Sequence, residues 1–132
     1  MKTILLVGLG SALGGMSRYG ICYGMAQRFG EGWTAGTLMV NVIGSFCLGL
    51  IFFLTAPDGR WFLDPAWRQM LMAGFCGGFT TFSAFSFQVL QQLRSGDLAS
   101  AGIYATGSVL LCVLAVGAGM WAARSIQAAG LA

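Results

Sequence analysis

Chemistry is concentrated in one stretch of the chain, Gly74-Phe75-Cys76-Gly77-Gly78-Phe79-Thr80-Thr81-Phe82-Ser83-Ala84-Phe85. Its reactive groups are uncharged: hydroxyls on Thr80, Thr81 and Ser83, ring edges on Phe82 and Phe85, and backbone. Glycine costs about 1 kcal/mol against alanine in a helix, and β-branched threonine loses rotamer freedom there, so this stretch is expected to break a helix. Groups of this kind hold ions rather than cleave bonds. A hydroxyl or amide donor replaces part of an anion's hydration shell, and a phenyl ring turned edge-on offers weakly positive C–H groups. Carbonyls freed at a helix break, here around Gly77 to Thr80, have the opposite preference and suit a cation. Phe82 and Phe85 share one helical face. That spacing also serves ordinary core packing, and it is the adjacent break that favours a functional role.

Three other constellations point the same way. Thr37, Asn41, Ser45 and Gly49 recur every four residues, so a helix presents them as one polar, small stripe. Asn41 is the costliest member, because its amide needs both donors and acceptors. It reads either as interhelical glue or as an N–H donor to a passing anion. Tyr104 and Ser108 lie on one face of a later helix, with Cys112 a turn further. Arg18 follows Gly14 by four residues, and a charge at that depth requires a partner, water, or a stem long enough to snorkel. The cysteines, Cys22, Cys47, Cys76 and Cys112, form no CxxC pair and read as small packing residues. Enzyme chemistry lacks its usual groups: the chain has no histidine, and Glu31, Asp58, Asp64 and Asp97 all fall in or beside loops.

The elements that position these groups follow from composition. Of 132 residues, 57% are hydrophobic and only 8% charged, with a mean hydropathy of +0.78; soluble domains carry roughly 25% charge. An integral membrane protein is implied. The length allows about four spans of about 20 residues as one small domain. We read the spans as 3–27, 33–55, 67–93 and 98–123, the third broken at the glycine-threonine stretch. Gly10 and Gly14, and Ala115 and Gly119, are expected to let helices approach closely. Trp33 suits the interfacial belt. A net charge of +3 is too thinly spread for a nucleic-acid partner. Lys2, Arg60, Arg68 and Arg124 fall on one side of such a four-span chain, and Arg28 and Arg94 on the other. That bias is weak enough to allow insertion in both orientations. Four helices are too few to enclose a pathway alone, so an oligomer is expected, with an inverted-topology pair permitted. A proton-coupled multidrug exporter of similar size is the alternative, and it needs a titratable carboxylate at membrane depth that no span supplies.

The central segments Gly36-Thr37-Leu38-Met39-Val40-Asn41-Val42-Ile43-Gly44-Ser45-Phe46 and Gly74 to Phe85, with Gly14-Gly15-Met16-Ser17-Arg18-Tyr19, resemble the Fluc (CrcB) family of fluoride channels. The resemblance covers all four spans. It implies an all-α membrane protein with four transmembrane helices per subunit, a broken third helix, and an antiparallel dual-topology homodimer carrying two fluoride pores. It further implies an ion pathway of Asn41, Phe82, Ser83, Phe85, Tyr104 and Ser108, and a structural central sodium ion on the backbone carbonyls of Gly77 and Thr80. Arg18 falls at a vestibule or dimer contact. Ala84 stands where many members carry threonine, and Gln88 where some carry glutamate. The implied activity is passive export of cytoplasmic fluoride across a bacterial inner (plasma) membrane, relieving fluoride toxicity.

Overall fold

The computed structural model describes residues 1–30 and 34–129. Glu31 and Trp33 lie outside them. Helix α1 runs Lys2–Phe29 and α2 runs Ala35–Leu54. The third segment is composite: a short α3, Pro65–Gln69, leads into a π-helical stretch, Met70–Cys76, then one turn of α-helix, α4, Gly77–Phe79. Helix α5, Phe82–Arg94, follows, and α6, Leu98–Ala129, completes the chain. Four segments are long and apolar enough to cross a membrane: Lys2–Phe29, Ala35–Leu54, Pro65–Arg94 and Leu98–Ala129.

Local sequence explains the ends. Asp64 precedes Pro65, so the carboxylate caps the helix by accepting from the Ala66 N–H at 3.0 Å while proline occupies the first turn, where its missing N–H costs nothing. Asp97 accepts from the Ser100 N–H at 3.1 Å in the same way at the start of α6. Helix α6 continues six residues beyond the expected span, to Ala129. At 32 residues and about 1.5 Å per residue it outreaches a hydrocarbon core of about 30 Å, which leaves its last turns for the interface. There Arg60 donates to the Ile126 carbonyl at 2.9 Å and Gln127 to the Asp58 carbonyl at 3.2 Å, tying the 55–64 loop to the end of α6.

Two seams hold the bundle. In the first, α1 lies against the third segment: a Cβ on Gly10 or Gly14 would run into the carbonyls of Met70 or Phe75, and one on Gly78 into that of Ser11. In the second, α2 lies against α6, with Gly49 facing the Val116 carbonyl and Gly119 facing that of Phe46. Close backbone approach of this kind replaces the hydrophobic driving force that lipid removes.

The glycines of the third segment therefore have a different use from the expected one. Gly74 lies in the π-helical stretch and Gly77 is helical, with φ −64° and ψ −37°. Regular helix lapses three residues later, where Thr80 (φ −88°, ψ 159°) and Thr81 (φ −150°, ψ 117°) are extended. Packing outweighs propensity at Gly74 and Gly78, because α1 needs their bare surface, whereas Gly77 does not face α1; the β-branched threonines tolerate the extended backbone readily.

Candidate functional site

Asn41 meets Thr81 across the interior. Its Oδ1 accepts from the Thr81 N–H at 2.7 Å and its Nδ2 donates to the Thr81 carbonyl at 3.0 Å. Both backbone groups left over by the extended residue are thus satisfied by one amide, as depth in a bilayer requires. An amide nitrogen has two N–H groups, so a second donor remains on Asn41, which lines a groove of about 370 Å³. Thr81 also caps α5, its Oγ1 accepting from the Ala84 N–H at 3.2 Å.

The groove runs between α2, the third segment and α6. Asn41, Ser45, Gly77, Thr80, Phe82, Phe85 and Ser108 all line it. Thr80 seats its methyl against Gly44, where no Cβ would fit, and its hydroxyl donates to the Cys76 carbonyl at 2.9 Å. Phe82 and Phe85 stand 5.4 Å apart with their planes tilted by 45°. Phe85 in turn stands 5.4 Å from Tyr104 at 52°. The three rings form a row, each tilted against the next. They differ in exposure: Phe85 is 9% exposed and Phe82 76%. Ser108 is buried, and its Oγ has no hydrogen-bond partner among the described residues.

Tyr104 donates its hydroxyl proton to Gln88 Oε1 at 2.7 Å, with the Thr34 carbonyl also near at 3.4 Å. Gln88, Gln91, Gln92, Thr34 and Ser95 line a second, polar cavity of about 270 Å³ at that end. Of the residues expected along the pathway, Tyr104 and Ser83 do not line the groove, and Ser83 lies furthest from expectation. It is exposed, pairs with the Thr81 hydroxyl at 3.1 Å, and does not line the groove. Arg18 stands on the far side of the third segment, its Nε donating to the Gly78 carbonyl at 3.2 Å. A guanidinium at the last turn of α4 meets carbonyls that the lapse at Thr80 leaves without a helical N–H.

Sequence reasoning missed two partners, Gly78 for Arg18 and Gln88 for Tyr104. A basic residue within reach of a helix C-terminus was the available signal for the first. For the second there was none beyond the glutamines emerging from the third span. For a hard cation, the relevant donors are oxygens. Gly77 and Thr80 fit that requirement in part: both line the groove, and while the Thr80 N–H still bonds the Cys76 carbonyl at 3.0 Å, the Thr81 N–H that a continued helix would give to the Gly77 carbonyl goes to Asn41. Among the described residues, no carboxylate lines the groove.

Four apolar segments around a largely apolar groove, into which Asn41, Ser45, Thr80, Thr81 and Ser108 bring uncharged polar groups, define a small multi-pass membrane protein whose interior suits a small ion. Residues 5–120 match the protein family described as CrcB-like protein, Camphor Resistance (CrcB). The chain is 46% identical over 127 residues to a protein of Opitutus terrae, covering 96% of each. It is 47% identical over 127 residues to one of Paramagnetospirillum magneticum, covering 96% of this chain and 99% of that one. With one of Hyphomonas neptunium it shares 44% identity over 128 residues, covering 97% and 100% respectively. Each of the three is named fluoride-specific ion channel FluC. The chain belongs to the CrcB family.

Proposed function

We propose that this protein is a fluoride-selective channel that lets cytoplasmic fluoride leave passively across a bacterial inner membrane. The observation that carries this reading is the ring row Phe82, Phe85 and Tyr104 running beside the partnerless Ser108 hydroxyl and the second Asn41 N–H, all without a carboxylate. Donors and ring edges offer an anion a substitute for water, and no fixed negative charge repels it. Hydrogen fluoride enters neutral and dissociates inside. A negative interior then favours export of the anion by about 2.3 kcal/mol for each 100 mV.

The groove opens on the face that leaves Phe82 exposed, which favours closure by a second copy of the chain. The weak lysine and arginine bias is compatible with that copy being inverted. In such an antiparallel homodimer the third span, broken at Thr80 and Thr81, meets its own counterpart. The carbonyls of Gly77 and Thr80 from both chains then hold a structural sodium ion that offsets repulsion among them. Ser83 sits at the edge of this pathway through its bond to Thr81.

Purified protein in liposomes, monitored with a fluoride electrode, tests the reading. Wild-type protein is expected to release fluoride, and Phe82→Ile and Asn41→Asp to slow release by about tenfold or more, since one alters a ring edge and the other puts negative charge on the path. Wild-type vesicles that retain fluoride as well as empty ones do would defeat the channel reading.

A further inference from the structure

Two of the four free cysteines, Cys76 and Cys112, line the groove. They are placed differently. Cys76 is 3% exposed at the end of the π-helical stretch. Cys112 is half-buried on α6, one turn beyond Ser108 on the same face. Ser108 supplies an independent observation: it is 5% exposed, lines the same groove, and its Oγ has no partner. A buried hydroxyl left unpaired is unfavourable, so this part of the groove is built to receive a guest. Cys112 and Ser108 line the same groove, so an adduct on the Cys112 sulfur would share the space of whatever meets Ser108. Cys22 in α1 and Cys47 in α2 are also half-buried but do not line the groove.

We propose that Cys112 is a modification site within the ion path, where a small uncharged thiol-reactive electrophile attaches and stops conduction. This rests on the groove being the path of fluoride. With methyl methanethiosulfonate the step balances. The thiol gives its proton to water, and the thiolate attacks the reagent's sulfenyl sulfur. A protein–S–S–methyl disulfide forms, the reagent's own S–S bond breaks, and methanesulfinate leaves with the electron pair. The reagent is the oxidant. The reaction reverses when dithiothreitol reduces the new disulfide.

Full-length protein in liposomes is treated with methyl methanethiosulfonate, mapped by peptide mass spectrometry, and assayed for fluoride release. The adduct is expected on Cys112 ahead of Cys76, and release is expected to fall by about tenfold or more, because an occupant that cannot leave ends conduction. Dithiothreitol restores it. Cys112→Ser, compared with its own untreated flux, loses the sensitivity, while Cys22→Ser and Cys47→Ser keep it. An unlabelled Cys112, a labelled Cys112 with flux unchanged, or a block that persists in Cys112→Ser each overturns the proposal. If Cys112→Ser does not assemble, the wild-type adduct map and its dithiothreitol reversal decide alone. Wild-type protein that passes no fluoride before any reagent is added instead defeats the channel reading, so the two failures are distinct.

Discussion

Asn41 is the residue on which the interior turns. Its amide makes two bonds to one residue, Thr81, at 2.7 and 3.0 Å. Asn41→Leu removes both and leaves an N–H and a carbonyl unpaired at membrane depth, so we expect a loss of about 2–4 kcal/mol. A lowered thermal midpoint in detergent, together with lost fluoride release, checks this. The importance of Asn41 was legible in the sequence, because an amide inside an apolar helix must find partners. The identity of the partner was not. Thr81 lies 40 positions away, and no local pattern encodes such a pairing. Arg18 is a similar case, conspicuous as a buried charge yet matched to a carbonyl 60 positions on. Backbone partners carry no side-chain signature, so bonds to them are invisible to residue types alone.

At the level of helices, spacing was more informative. Gly10 and Gly14 marked a contact edge, and that edge does meet another helix, with no room for a Cβ against Met70 and Phe75. Gly14→Val is accordingly expected to abolish assembly rather than weaken it, because backbone carbonyls cannot move aside as flexible side chains do. Size-exclusion chromatography in mild detergent would register the loss, and Gly15→Val, where nothing lies within 4 Å, should elute as wild type does. The role of Gly74 and Gly78 was harder to see. Helix propensity and close packing use the same residue, and only the position of α1 decides between them. Asp97 adds a pH-dependent element. Hydrogen bonds from the Ser100 side chain and backbone hold its carboxyl below the ordinary 3.8. A carboxylate favoured in the folded state contributes above its unfolded pKa and is lost as pH falls through the lower folded value. This cap therefore stays intact throughout the neutral range.

For the whole molecule, insertion is the decisive property. Four positive residues lie on one side of the membrane and two on the other. Pro57 and Asp58 are both exposed on the richer side, and converting them to lysine makes the ratio six to two. That bias is expected to commit every copy to one orientation and so remove fluoride release. Co-expression with a chain given lysines at Gln91 and Ser95 and carrying Lys2→Gln and Arg60→Gln, which reverses the bias to two against four, should restore release in the vesicle assay. Release by the six-to-two chain alone would refute inverted pairing. Composition made the membrane and the span count plain. How the third span winds was not legible. Met70 to Cys76 coil more slowly than an α-helix, so each surplus residue turns everything downstream by roughly 100° about the axis. That lag works like an offset cam: it swings Thr80 toward Gly44 and turns Phe85 into the protein's interior while Phe82 stays on the exposed face.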